Sequence, residues 1–357
     1  MNPYANLPPQ AFWKASIQSA NALGVNFDCG RKFSFSPENS FVTAGSCFAQ
    51  HFAQQLIARG GKVLIGEQRH PLIPAESEHG YGVFSARYGN IYTVRQLLEM
   101  LEQAFGIRTT IYDTAQRKDG RWVDMLRPRA VPMGFSSREH ACADRDYHLY
   151  AVRQLFKDMD VFVFTLGLTE TWVNIDHNYC YPVVPGAIAG DFSPQSHVFK
   201  NLSFTESVDD LRKVIEIIAA INSTVRILFT VSPVGLVATA EPRSVIVSTS
   251  ASKSILRAAV DEVTRGQEGV DYFPSYEIIT SPYSEGRFWA EGLRDVTESG
   301  VATVMQIFFN SRMPGLVPHS LPEPDNTRSE DERFEREFEK AMTKECDEMF
   351  LDPALRS

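Results

Sequence analysis

The chain has 357 residues, of which 43% are hydrophobic and 22% are charged, with a formal net charge of −9 and an isoelectric point near 5.5. An acidic chain without a cluster of basic residues lacks the positive surface that nucleic acids and anionic membranes require, so neither partner is expected. The longest apolar runs hold only about eight residues, whereas a membrane-spanning helix needs about twenty, so we expect no membrane insertion.

The cysteines and the absent motifs narrow the function further. Five cysteines are scattered along the chain without a C-x-x-C pair, which argues against a disulfide framework or a structural zinc site. The sequence has no phosphate-loop motif, no dinucleotide-binding glycine fingerprint and no H-E-x-x-H, so we expect neither a cofactor nor a metal. It also begins without the basic and apolar regions of a secretory signal. These observations predict a cytoplasmic protein.

The first half of the chain predicts an irregular arm followed by alternating strands and helices. Residues 1–40 are rich in proline, asparagine, phenylalanine and serine and form the predicted arm. After it, apolar periodicity and glycine stop signals predict the following elements: strand 41–45, helix 47–58, strand 62–65, loop 66–90 and helix 93–105.

The second half continues the alternation. Residues 161–166 are continuously apolar, as expected of a strand that is covered on both faces. The other predicted elements are a hairpin around 118–121, helices over 145–158, 206–221, 248–264 and 298–310, strands over 225–231 and 270–273, and a long connection over 172–204. Strands alternating with helices indicate a parallel sheet with helices on both faces, whose ligands bind beyond the carboxyl ends of the strands.

The tail, residues 313–357, differs from the α/β domain predicted over residues 1–312. Its proline-containing start is followed by a highly charged segment over 328–350 that predicts a helix. Phe334, Phe338 and Met342 form one apolar stripe on that helix. The stripe either packs on the chain's own domain or forms a contact with a partner, including a homo-oligomer.

Ser46 is the leading candidate nucleophile because it stands at a predicted strand-to-helix junction. There it is surrounded by unpaired backbone N–H groups at the positive end of the helix dipole, which can stabilise an oxyanion. Gly45 allows a substrate or another segment to come close. The alternative is that Ser46 only caps the helix. Cys47 is either a second nucleophile or a buried apolar residue.

The residues around Ser46 resemble the signature of the GSCFA family. Residues 45–49 are Gly-Ser-Cys-Phe-Ala, in that order. Further stretches are similar to later blocks of the family and follow in the family's order: 88–93, 165–170, 232–234, 252–253 and 272–277. The resemblance thus extends over most of the predicted domain.

The GSCFA family is similar to the SGNH/GDSL hydrolases, and this similarity implies a fold and an activity. The implied fold is a flavodoxin-like three-layer α/β/α sandwich with a central parallel sheet. The implied activity is hydrolysis or transfer of acyl groups, often acetyl groups on carbohydrates, with Ser46 as the nucleophile. Oxyanion and pocket residues implied by the matching blocks are Gly45, Gly89, Asn90, Gly167, Thr169 and Glu170, although Thr169 and Glu170 replace the residue types expected there.

One departure from the superfamily affects the catalytic base. The D-x-x-H block that carries it corresponds to residues 290–296, where Gly292 and Asp295 take the Asp and His positions. A serine without an adjacent base is a poor nucleophile. The alternative bases that we predict are His197 and His177, which follow the Gly167–Glu170 segment; a carboxylate, Glu170 or Asp295, is a further alternative.

Two functions therefore remain open from the sequence. The first is a serine-dependent esterase or O-acyltransferase that acts on a small-molecule or glycan ester. The second is a non-catalytic protein on the same fold that binds a glycan or acyl ligand or acts as a scaffold, as the replaced D-x-x-H block suggests.

Overall fold

The computed structural model describes residues 2–17, 25–69, 81–82, 84–314, 316 and 347–351, without the side chains of Ile17, Cys47, Asp347 and Glu348. The charged helix predicted over 328–350 therefore lies outside the described residues, except for the end that forms a short 3-10 helix over Asp347–Leu351. The apolar stripe of Phe334, Phe338 and Met342, and with it the predicted oligomer contact, also lies outside them.

Helices and strands alternate along most of the chain. The helices are α1 (Trp13–Ile17), α2 (Cys47–Ala58), α3 (Val94–Ala104), α4 (Arg138–Asp158), α5 (Phe204–Ile221), α6 (Val245–Thr264), α7 (Ser275–Thr280) and α8 (Glu298–Arg312). The strands are β1 (Ser40–Gly45), β2 (Lys62–Val63), β3 (Thr114–Gln116), β4 (Trp122–Asp124), β5 (Val161–Leu166), β6 (Glu170–Asn174), β7 (Tyr179–Tyr181), β8 (His197–Asn201), β9 (Arg226–Val231) and β10 (Val270–Tyr272).

Five parallel strands form the central sheet in the order β2-β1-β5-β9-β10. In chain order this is the 2-1-3-4-5 arrangement of flavodoxin-like folds, in which the order of the strands reverses between β1 and β5. The predicted α/β fold with a central parallel sheet is confirmed. Ligands of such sheets bind at that reversal, beyond the carboxyl ends of β1 and β5.

The two faces of the sheet are covered by different helices. On β5, Phe162 and Phe164 face a core built with α3, α4, α5 and α6, whereas Val161 and Val163 face a core built with α2, α7 and α8. This alternation follows from the two-residue period of a strand. All six residues of β5 are buried, as its continuously apolar sequence predicts.

The prediction of a long connection over 172–204 is wrong. This segment, together with Glu170 and Thr171, contains a separate antiparallel sheet in the order β7-β6-β8. Its buried face packs against the β3–β4 hairpin through Tyr179, Tyr181 and Val123. The three strands are only three to five residues long and are separated by proline and glycine, so local periodicity does not reveal them.

Helix α4 also differs from its prediction over 145–158, because it begins at Arg138. Ser137 caps it, since the Ser137 side chain accepts a hydrogen bond from the His140 backbone N–H. The hairpin predicted around 118–121 is present as β3 and β4. Across the described ranges, no helix combines the length and apolar character that a membrane span requires.

Candidate active site

Ser46 lies where β1 ends and α2 begins, at the reversal point of the sheet. It is the N-cap residue of α2 with an extended backbone, but its side chain makes no capping hydrogen bond. The residue is only 3% exposed, and Oγ has no hydrogen-bond partner among the described residues. A serine that only caps a helix uses its oxygen to accept a backbone N–H. The Ser46 hydroxyl is not used in this way.

Two glycines allow neighbouring backbone to approach Ser46 closely. Gly45 has a φ of 143°, and a Cβ added to it would lie 2.5 Å from the Thr165 carbonyl oxygen. A Cβ added to Gly167 would lie 3.0 Å from the Tyr92 carbonyl oxygen and 3.5 Å from the Cβ of Ser46. Gly45 has no room for a side chain and Gly167 has little, so the end of β5 and Tyr92 can pack directly beside Ser46.

The segment from Tyr88 to Tyr92 crosses the carboxyl ends of β1 and β5. The Tyr88 hydroxyl donates to the Thr43 carbonyl, and the Ile91 N–H donates to the Gly45 carbonyl at 2.8 Å. The Tyr92 carbonyl then accepts the N–H groups of Gly167, at 3.1 Å, and of Leu168, at 3.0 Å. Gly89 and Asn90 lie between these bonded residues, so the bonds hold them beside the β1–α2 junction.

Asn90 is brought against α2 by this crossing. Its side-chain oxygen lies 3.5 Å from Nε2 of Gln50, which follows Ser46 by one helical turn. Both side chains are buried. Gly89 has a φ of 69° and would meet no atom within 4 Å if it carried a Cβ. The structure therefore brings Asn90 and Gln50 together near Ser46 and leaves open space beside Gly89.

Several buried polar atoms near this end of the sheet have no partner among the described residues. Besides Ser46 Oγ, they include Gln50 Oε1 and the hydroxyls of Thr43 and Thr165. Thr165 pairs with Gly45 across β1 and β5. Because buried polar groups are nearly always hydrogen-bonded, such a group of unpaired atoms has the capacity to bind a polar ligand or water. Gln50 was not predicted; the signal was a polar residue four positions after Ser46 on the same helix.

Thr169 and Glu170 hold the end of β5 in place. The Thr169 hydroxyl donates to Oδ1 of Asn201 at 2.7 Å, and its N–H donates to Oγ of Ser252 at 3.0 Å. Glu170 accepts hydrogen bonds from the Thr239 hydroxyl at 2.7 Å and from the Ala240 N–H at 3.3 Å, while burial raises the pKa of its carboxyl. Both side chains are engaged with neighbouring connections.

Helix α6 supports the same strand end. Buried Lys253 donates from Nζ to the Gly167 carbonyl at 2.5 Å. The neighbouring Ser252 accepts the Thr169 N–H. The pair of residues Ser252-Lys253 therefore fixes the backbone of Gly167, which lies against Ser46.

The antiparallel sheet carries His197 away from this strand end. His197 pairs with Asn174, whereas Asn201 pairs with Glu170 at the other end of the same ladder. Four residues of strand correspond to about 13 Å. Nδ1 of His197 accepts the N–H of Ser193 at 3.0 Å. The structure does not bring His197 into contact with Ser46.

His177 lies at the turn between β6 and β7, still farther along the same ladder. Its ring stacks on that of Tyr179, with the centroids 6.5 Å apart. Its backbone N–H donates to the Asn174 side chain. Since Ser46 Oγ has no partner in the described part of the chain, His177 does not bond to it either.

Asp295 and His51 are two further titratable residues. Asp295 lies in a turn closed by the bridge between Trp289 and Val296, and its Oδ1 is 2.8 Å from Nη1 of Arg294. It is thus ion-paired with its neighbour. His51, on α2, is buried, and burial lowers its pKa to about 4, so the ring is neutral at pH 7.

A family model matches residues 40–308, described as the GSCFA family. The chain belongs to the GSCFA family. The matched region of this GSCFA protein extends from β1 into α8 and includes Ser46, Asn90 and the strand end at Gly167.

Comparison with solved structures gives a weaker similarity. A family 3 carbohydrate esterase of Clostridium thermocellum is 10% identical to the GSCFA protein, with 77% of this chain and 94% of that chain covered and a TM-score of 0.32. A search of curated proteins found no match. Any inference about the chemistry of this GSCFA protein therefore depends on its own residues.

Proposed function

We propose that this GSCFA protein is a serine-dependent esterase or O-acyltransferase with Ser46 as the nucleophile. The observation that carries the proposal is the buried Ser46 hydroxyl, which has no hydrogen-bond partner in the described residues although it stands at the N-terminus of α2. As substrates we propose acetyl esters, in particular those of carbohydrates, and as location the cytoplasm.

In the proposed reaction, Oγ of Ser46 attacks the ester carbonyl carbon. The C–Oγ bond forms as the carbonyl oxygen becomes an oxyanion, which the N–H groups at the start of α2 and at Gly89 or Asn90 can stabilise. The bond to the alcohol then breaks, and the proton lost by Oγ ends on the leaving alcohol. Water or a second alcohol releases the acyl group from Ser46, which gives hydrolysis or transfer respectively.

The Ser46 proton needs a relay to reach the leaving alcohol. A relay through His197 or His177 requires the β6–β8 sheet to approach Ser46, because neither ring bonds to Ser46 in this structure. Without such an approach, a water bound among the unpaired atoms of Ser46 and Gln50 can transfer the proton, and a slower reaction is expected.

The proposal is tested by labelling with a fluorophosphonate probe and measuring the intact mass. One adduct that maps to Ser46, and that is absent in Ser46→Ala, is expected. Ser244→Ala is the matched control, since Ser244 is the N-cap of α6 and also lacks a capping hydrogen bond. Labelling that persists in folded Ser46→Ala would show that Ser46 is not the nucleophile.

A non-catalytic ligand-binding or scaffold role is the second candidate. It is favoured by the replaced D-x-x-H block, in which Asp295 forms an ion pair with Arg294. In that case the folded wild-type protein forms no adduct, and its ligand must be sought by direct binding measurements instead.

A further inference from the structure

A short segment near the end of the chain returns to the edge of the sheet where Ser46 lies. This terminal segment is the 3-10 helix Asp347–Leu351. Its Met349 is half-buried and packs against a small cluster of buried apolar residues, which are Tyr92, Leu168 and Leu236.

This apolar cluster stands at the carboxyl ends of the central strands. Leu168 comes shortly after β5, and Leu236 comes after β9, where its N–H donates to the Thr249 hydroxyl at 3.2 Å. Tyr92 belongs to the segment that crosses the ends of β1 and β5, and its carbonyl accepts the N–H groups of Gly167 and Leu168. The cluster therefore borders the edge of the sheet at which ligands of this fold bind.

One residue, Gly167, connects the cluster to the candidate nucleophile. A Cβ added to Gly167 would lie 3.0 Å from the Tyr92 carbonyl oxygen and 3.5 Å from the Cβ of Ser46. Met349 thus covers residues that flank Ser46. Since Ser46 itself is only 3% exposed, a substrate can reach its hydroxyl only when a covering segment moves.

A second contact attaches the terminal segment on the other side of the site. The guanidinium of Arg129 lies 5.8 Å from the ring centroid of Phe350. The neighbouring Ala130 carbonyl accepts a hydrogen bond from Nη2 of Arg87 at 3.0 Å, and Arg87 directly precedes the Tyr88–Tyr92 segment. The terminal segment therefore extends from the ends of β5 and β9 to the start of that crossing.

These two contacts are weaker than those that hold the rest of the site. Met349 is only half-buried and Phe350 is exposed. The Tyr88–Tyr92 segment, by contrast, is tied to β1 and to the end of β5 by hydrogen bonds to the backbone. Because segments with few buried apolar contacts open at a small cost in free energy, the terminal segment can leave the site while the sheet stays folded.

We propose that the terminal segment is a lid that closes the entrance to Ser46 and opens to admit the substrate. The assignment deepens the esterase or acyltransferase function proposed above, and its role in catalysis rests on that function. While the lid is closed, Met349 occupies the apolar cluster beside Ser46. The reactivity of the residue at position 46 is then limited by the fraction of molecules in which the lid is open.

The test measures access to position 46 without requiring catalysis. The hydroxyl is replaced by a thiol in Ser46→Cys, and the rate of alkylation by iodoacetamide is followed by peptide mass spectrometry, with fragmentation to distinguish the neighbouring Cys47. Adding Met349→Glu places a charge against the apolar cluster, so we expect the alkylation rate at position 46 to rise about fivefold. Adding Phe350→Ala removes the contact with Arg129 and should cause a smaller rise.

Two controls separate opening of the lid from general destabilisation. Met133→Glu is the same substitution at an exposed methionine outside the cluster and should leave the rate at position 46 unchanged. Cys180, buried on β7, is followed in the same samples and should not be alkylated faster in any variant. An unchanged rate at position 46 in folded Met349→Glu and Phe350→Ala, or an equal rise at Cys180, would overturn the lid.

Failure of the proposed reaction gives a different result. In proteins that keep Ser46, Met349→Glu should also accelerate fluorophosphonate labelling about fivefold, as it does alkylation. Faster alkylation at position 46 in proteins that form no fluorophosphonate adduct would support the lid and reject the serine nucleophile. Labelling of Ser46 at the same rate in wild type and Met349→Glu, together with unchanged alkylation, would support the nucleophile and overturn the lid.

Discussion

Replacing Gly45 by alanine tests the contact that places Ser46. The added methyl would lie 2.5 Å from the Thr165 carbonyl oxygen and 2.9 Å from the Thr165 Cβ, and φ of Gly45 is 143°. The backbone strain costs roughly 1–3 kcal/mol. Overpacking in a rigid core costs about 1–3 kcal/mol more. We therefore expect Gly45→Ala to lower the free energy of unfolding by about 2–6 kcal/mol, measured by urea denaturation.

Gly89→Ala separates the two contributions. Gly89 also has a positive φ, 69°, but an added Cβ would meet no atom within 4 Å. Only the strain remains, about 1–2 kcal/mol. If Gly45→Ala is no more destabilising than Gly89→Ala, β1 and β5 do not approach each other closely enough at Gly45 to exclude a methyl group. Fluorophosphonate labelling of folded Gly45→Ala should also slow, because the methyl displaces the backbone that precedes Ser46.

Two further predictions concern buried charges. Burial raises the pKa of Glu99 from 4.5 to about 7, so Glu99 stabilises the fold fully only below pH 4.5, and this stabilisation is lost as the pH rises through 7. Glu99→Gln has no such carboxyl. Its free energy of unfolding relative to that of the wild type, measured by urea denaturation, should therefore rise by up to about 3 kcal/mol between pH 4.5 and 8. The same pH dependence in both proteins would contradict this. Arg312→Met should lower the unfolding free energy by about 3–5 kcal/mol, because it leaves the carboxylates of Asp28 and Asp271, now 2.6 and 2.7 Å from the guanidinium, without their partner. The control is Arg265→Met, at an exposed residue that pairs with Asp261, where a small effect is expected. An equally small effect of Arg312→Met would refute the prediction for Arg312.

The position of Ser46 could be predicted because its signals are local. An apolar run ends at Gly45, and apolar residues then recur at helical spacing. A segment of about fifteen residues is therefore enough to recognise the strand-to-helix junction. The central strand over 161–166 is identified in the same way, by a run that suits burial on both faces.

Local patterns could not predict the surroundings of Ser46, because these depend on pairing between distant segments; the pocket residues Gly89, Asn90 and Gly167 were implied only by the family resemblance. His197 and His177 follow Gly167 in sequence, yet the register of β6 with β8 directs them along the strands away from that end. The contact between Gln50 and Asn90 joins residues 40 positions apart through the backbone bond from Ile91 to Gly45. Local patterns contain no information on either pairing.

The outer strands of the central sheet are short, which limits aggregation of the protein at high concentration. The three inner strands have six residues each, whereas the outer strands β2 and β10 have two and three. On β10, the carbonyls of Val270 and Tyr272 accept hydrogen bonds from Lys32 and Arg312. Few free backbone groups are left there for a strand of another molecule to extend the sheet. The short outer strands thus protect the central sheet from edge-to-edge aggregation.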